Sequence, residues 1–241
     1  MSTLASDHNA IVNSTTLYQK NIHEVDSYPH KVLKPSTNKK LGRKVLRGKM
    51  KGYPMYTLTL VERETCTSYC EHWADCYGNN MPFAHRFKTK GLMPRLNLEL
   101  DALDKKHPNG YLVRLHILGD FYSVGYVKFW EEQLENRPAL NIYGYSRHHP
   151  DSEAPTYWDN CNTDILSRKI GQALLIVRNN IGFDRFAVRF SSLPSDNLSA
   201  NTEHNSTANA ITCLVQVDKS DSCGDCTLCW TTKKPITFLD H

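Results

Sequence analysis

Tyr111-Leu-Val-Arg-Leu-His-Ile117, closed by Gly119-Asp120, then a stretch from Ser123 to Asn136, then Leu140-Asn-Ile-Tyr-Gly-Tyr-Ser146: this run decides the fold. Its first and last segments carry the aliphatic and aromatic residues of strands, while Val127, Trp130 and Leu134 between them recur at helical spacing. Ser123 offers a side-chain oxygen as N-cap, and Pro138 stops the helix before the next strand. Strand, single helix, strand is the mark of a parallel β-α-β unit.

The pattern extends both ways. Upstream, Tyr56-Thr-Leu-Thr-Leu-Val61 alternates as a strand and Leu96 to Leu103 reads as helix. Downstream, Leu166, Ile170, Leu174 and Val177 define a helix from about Thr163 to Arg178, stopped by Asn179-Asn180 and Gly182. Phe186-Ala-Val-Arg-Phe190 is a fourth strand, 193–210 a polar loop, and Ile211 to Val217 and Ile236 to Leu239 two short strands. The expected fold class is therefore α/β, as a partial (β/α)6-type barrel or an open parallel sheet, with cysteine-rich metal loops. Residues 1–37 are polar without a sustained period and read as a disordered arm, leaving 38–241 as a single α/β metal-binding domain.

A chain of 241 residues buries a core without help from disulfides. No run of 18 apolar residues suggests a membrane partner, and the polar beginning carries no secretion signal, so a cytoplasmic location is expected. In that reducing compartment cysteines stay thiols until a metal takes them. The net charge of +4 is mild but uneven: Lys39, Lys40, Arg43, Lys44, Arg47, Lys49 and Lys51 occupy one stretch without an acid. That stretch is either a solvated face or a contact for nucleic-acid phosphates.

Seven of the eight cysteines fall into two loops. Cys66, Cys70 and Cys76 stand within eleven residues, directly after the first strand. Three thiolates hold a four-iron cluster with one iron open, or a zinc ion with a vacant position that His72 could close. Cys213, Cys223, Cys226 and Cys229 follow the spacing C-x9-C-x2-C-x2-C, a closed four-thiol set for zinc or iron with a structural or electron-carrying role. Cys161 stands alone as an ordinary thiol. Alternation in the second strand sets Arg114 and His116 opposite Val113, Leu115 and Ile117, facing the crevice, and Arg189 behaves likewise in the fourth. Such cations need an anionic ligand or an internal acid such as Asp120 or Asp184. Asp120 itself either receives a ligand ammonium or caps the next helix.

The stretches Leu58-Thr-Leu-Val-Glu-Arg-Glu-Thr-Cys66, Cys70-Glu-His-Trp-Ala-Asp-Cys76-Tyr-Gly-Asn-Asn-Met81, Leu115-His-Ile-Leu-Gly-Asp-Phe-Tyr122 and Cys223-Gly-Asp-Cys-Thr-Leu-Cys-Trp230 resemble the phage-associated "gene product eighty-eight" domain family, from about residue 38 onward. That family is in turn distantly similar to radical SAM enzymes. These carry a three-cysteine loop after the first barrel strand and a Gly-rich acidic motif ending the second, places held here by Cys66/Cys70/Cys76 and Leu118-Gly-Asp120. The resemblance implies an iron–sulfur (4Fe-4S) enzyme whose open iron binds S-adenosylmethionine. Asp120 would receive its ammonium and Arg114 or Arg189 its carboxylate, with Gly119 and His116 as further cofactor-binding residues. An electron donor would be a partner, and the second loop would hold an auxiliary cluster or zinc. The rival expectation is a non-catalytic protein with two zinc sites that contacts nucleic acid through 39–51.

Overall fold

The computed structural model describes residues 3–150 and 161–239, the side chains of 161–164 excepted. Its strands are β1 (Ile22–His23), β2 (Lys34–Pro35), β3 (Met55–Thr57), β4 (Arg86–Phe87), β5 (Tyr111–Leu115), β6 (Leu140–Ser146), β7 (Phe186–Phe190), β8 (Ala200–Thr202), β9 (Ile211–Thr212) and β10 (Ile236–Phe238). The helices are α1 (Asn9–Val12), α2 (Leu92–Lys106), α3 (Val124–Asn136), α4 (Cys161–Ile181), α5 (Cys223–Cys226) and α6 (Leu228–Thr231).

The main sheet has the order β2-β3-β5-β6-β7, with β3, β5, β6 and β7 parallel and β2 antiparallel at one edge. Each parallel strand lies beside its predecessor, and α2, α3 and α4 make the crossovers. Successive crossovers of one hand stack all three helices on one face. Tyr111, Val113, Leu115, Ile142, Phe186 and Val188 meet Leu96, Leu100, Trp130, Leu134, Ile170 and Leu174 in that core. Ser123 caps α3, its hydroxyl accepting the Tyr126 N–H at 3.1 Å, as its position before the apolar period predicts.

The sheet is open, not closed into a barrel. After β7 the described chain adds no further strand to this sheet. Instead it folds back across the inner face, where Leu112, Tyr143 and Ala187 point, and covers them with Trp230, Ile236, Cys213 and Cys229. This cover is a small parallel sheet, β8-β10-β9, carrying α5 and α6. Strand β8 lies within the stretch expected as loop, and β9 stops at Thr212, well short of Val217.

Residues 3–37, expected as a disordered arm, lie against the domain. Val25, Val32 and Leu33 are buried in the helix-side core, Thr16 is 1% exposed, and β2 pairs with β3. A few apolar residues suffice here because Val25, Val32 and Leu33 land in the core, a placement that local periodicity does not reveal.

Candidate metal centres

The first cysteine loop leaves the sheet where Leu58 and Leu60 still bond to Arg114 and Leu118 carbonyls. Arg63 then turns the chain with φ of 65°, a left-handed conformation rare outside glycine. The loop is stapled from below by buried charges. The Arg86 Nε–H donates to Glu62 Oε2 at 2.7 Å in a pair at most 1% exposed, and Thr16 donates to Glu62 Oε1 at 2.6 Å. Arg86 also donates to the Met81, Ala84 and Gly78 carbonyls, and Arg63 to the Trp73 and Thr15 carbonyls and the Asn79 side chain. The amino-terminal arm thus clasps the loop through Thr15, Thr16 and the Tyr18 hydroxyl, which donates to the Asn79 carbonyl at 2.6 Å.

Gly119 presses the tip of β5 onto this loop. It takes φ of 82°, and a Cβ there would stand 2.5 Å from Thr65 Oγ1. The Asp120 N–H donates to that same Thr65 oxygen. Asp120 itself is 5% exposed, with one carboxylate oxygen accepting the Phe121 N–H at 2.7 Å and the other the Arg147 N–H at 2.8 Å. It is a clamp between the tips of β5 and β6.

The three thiols act on one another. Burial pushes the Cys66 thiol well up, and the Asp120 carboxylate, Cys70 and Cys76 push further, against the Arg63 amide. Cys70 is pushed up to about 11, chiefly by burial with help from Cys76 and Asp120, against the His72 amide and Arg147. Cys76 is raised by burial and lowered by the Gly78 N–H, 3.4 Å from its sulfur, and by Arg63. Backbone N–H groups aimed at sulfur are what a thiolate needs. His72 sits half-exposed, its Nδ1 3.3 Å from Asp75, at the rim. Glu71 carries the other rim contact, an ion pair with Arg147 at 2.7 Å.

The second cysteine loop rests on the inner face. Ser222 caps α5, Thr227 turns left-handed at φ of 60° and α6 follows. Gly224 permits the approach, since a Cβ there would be 2.3 Å from the Lys44 carbonyl oxygen. Cys213 arrives at the end of β9, its N–H bonded to the Thr237 carbonyl. Cys223 is pushed up to about 12 by burial, then by Cys229 and Cys213, with Arg114 and Lys40 opposing. Burial raises Cys226, while the Leu228 and Leu214 amides lower it. Burial raises Cys229 too, against the Tyr145 hydroxyl, which donates to its sulfur at 2.9 Å, and Arg189. The four thiols of the C-x9-C-x2-C-x2-C set thus lie within electrostatic range of one another, Cys213 included. Even so, among the described residues no group of three or more His, Cys, Asp and Glu side chains is arranged to hold a metal ion. The donor chemistry of both loops fits a thiophilic metal, but its capture requires the sulfurs to close up.

The five residues expected around S-adenosylmethionine are divided among different environments. Gly119 and Asp120 belong to the first loop, and both Asp120 oxygens are taken by backbone N–H groups. Arg114 lies over Tyr145 at 4.4 Å, facing the second loop as alternation predicts. His116 does not face the crevice. Strand β5 ends at Leu115, so alternation lapses, and the ring turns to the helix side with Nε2 3.1 Å from the Tyr126 hydroxyl. Arg189 is fully buried, yet its partner is neither a ligand carboxylate nor a protein acid. It donates to the Leu198, Leu228, Cys229, Thr232 and Lys234 carbonyls, which uses the whole guanidinium. This set does not fit a shared S-adenosylmethionine. The Cys161 side chain lies outside the described residues.

Sequence reasoning passed over Glu62, Arg63 and Arg86, which hold the first loop, and Tyr145, which reaches sulfur. Glu62-Arg63 beside a cysteine was a usable signal, because acids and arginines next to metal loops often orient them. Nothing local marks Tyr145. The gene product 88 family matches residues 31–232. No curated protein and no solved structure matches the chain.

Proposed function

The chain belongs to the gene product 88 family, and from its own side chains we propose that it is a thiolate metalloprotein with two centres. Cys66, Cys70 and Cys76 would hold an iron–sulfur cluster with one iron open at the half-exposed rim. Cys213, Cys223, Cys226 and Cys229 would hold a closed site for zinc or a second cluster. The observation that carries the reading is the pair of tight cysteine sets in the sequence, each with a donor already on a sulfur: the Gly78 N–H on Cys76 at 3.4 Å and the Tyr145 hydroxyl on Cys229 at 2.9 Å. Neutral thiols crowded this way release protons when a cation enters, so metal uptake and proton loss are one event.

A cluster at the first loop would supply one-electron chemistry or a Lewis-acidic iron. The protein's part is then to keep Asp120 and the Arg147–Glu71 pair at the rim, where they set charge and access. At the second loop Tyr145 and Arg189 orient Cys229, a structural task. A second reading, zinc in both loops, is favoured by the scaffold around Arg189, which builds the second loop as a folded cover. Protein isolated without oxygen separates the two. Brown colour with iron and acid-labile sulfide in equal amounts supports the cluster, and colourless protein with two zinc ions supports the other reading. Protein free of both metals at full solubility, with no uptake on reconstitution, would end both.

A further inference from the structure

A cavity of about 470 Å³ opens between the 32–38 segment and the loop 81–87, at the carboxyl ends of β3 and β5. Ligands of open α/β sheets bind at such strand ends. Thr57, Thr59 and Ile117 line its sheet side. Ser36 lines it too, only 3% exposed, and its hydroxyl has no hydrogen-bond partner. A buried hydroxyl left this way has its hydrogen-bonding capacity open to a water or a ligand atom entering the cavity. Lys34 brings a cation: its Nζ donates to the Tyr28 hydroxyl at 3.0 Å, and it forms no ion pair among the described residues. At the mouth stands Phe83, 91% exposed, an apolar ring held in water.

The wall of the cavity runs on into the basic stretch, since Asn38 and Leu41 line it and Lys39 lies between them. That stretch is no loose tail. Val45 N–H bonds to the Tyr53 carbonyl, Met55 to Arg43 and Leu46 to Gly224, while Leu41, Val45 and Met50 are buried. The intervening Lys39, Arg43, Lys44, Lys49 and Lys51 are left exposed on an ordered hairpin. Only Arg47 in this stretch has an acid partner among the described residues, Asp225 at 2.8 Å. Uncompensated cations on a fixed backbone present a ready electrostatic footprint.

We propose that the cavity and this hairpin bind single-stranded nucleic acid. One base stacks on Phe83 with its edge toward Ser36, its phosphate meets Lys34, and the flanking phosphates track along the exposed cations. A duplex keeps its bases stacked and paired, so it offers no ring to the cavity. A free nucleotide leaves most of the cations unanswered. This proposal does not depend on either metal centre.

The test is fluorescence anisotropy of the full chain with a labelled oligodeoxythymidine. Six cations predict a plot of log K against log salt with a slope of about −4, at ~0.7 per phosphate. Phe83→Ala is expected to weaken binding about tenfold, a stacking loss, without changing the melt, because the ring is exposed. Replacing Lys39, Arg43, Lys49 and Lys51 together by glutamine is expected to bring the slope to about −1. The proposal is overturned if no binding occurs, if Phe83→Ala binds as tightly as the native chain, or if a duplex or a mononucleotide competes as well as the strand.

Discussion

Replacing Arg189 by methionine removes the central fastener of the second cysteine loop, with its guanidinium over the Phe183 ring, while keeping an unbranched apolar stem. The guanidinium donates to five carbonyls, four of them from the 228–234 segment. The bond to Cys229 is fully buried, and its orphaned carbonyl costs ~1–3 kcal/mol. The other four are only part-buried and gain water, so each costs nearer ~0.5–1 kcal/mol. Against this, methionine spares the burial of a cation, which holds the Arg189 pKa below its ordinary value. The balance is a loss of about 3 kcal/mol, or ~6–12 °C in Tm for a chain of this size. The loss should be local as well. Cys226 and Cys229 should react faster with a thiol reagent, while Cys66, Cys70 and Cys76 keep their native rates. Arg189→Lys should recover part of the loss, since an ammonium has fewer donors than a guanidinium. A methionine variant melting within ~2 °C of the native chain, with unchanged thiol reactivity, would refute the account of Arg189 as organiser of that loop.

The same geometry sets other outcomes. Tyr145→Phe removes the hydroxyl that donates to Cys229 and is expected to weaken metal at the second loop ~10–100-fold, read by chelator competition, with the first loop unaffected. Cys70→Ala and Cys226→Ala should each abolish metal at their own loop only, by elemental analysis, with Cys226→Ala alone lowering the melting temperature markedly because a closed site contributes to folding. Glu62→Gln leaves Arg86 buried beside a neutral amide and should cost ~3–5 kcal/mol in urea unfolding. In the metal-free chain the folded thiols are raised above their ordinary value, Cys70 to about 11 and Cys223 to about 12. Raised acids stay neutral longer when folded than when unfolded, so their stabilisation is intact below pH ~9 and fades as pH climbs toward 11 or 12. Urea midpoints should therefore fall between pH ~8.5 and ~10.5, and a flat profile would count against the crowding of these thiols.

By itself the sequence determined the β5-α3-β6 unit, β7 and the helices around it, because their apolar residues repeat at periods set by strand and helix geometry alone. It also determined the face on which Arg114 lies, since that follows from strand alternation alone. Tertiary structure decided the rest. Whether the sheet closes depends on the segment after β7, and that segment is a cover folded onto the inner face, not a further strand of the same sheet. The role of Arg189 depended on which carbonyls that cover delivered, and Asp120 acquired the Arg147 N–H as a partner only when the tips of β5 and β6 came side by side. The amino-terminal arm packs through Val25, Val32 and Leu33, whose partners lie far along the chain. Contacts of that kind leave no period in the sequence, because their spacing is set by the fold they join and not by the backbone that carries them.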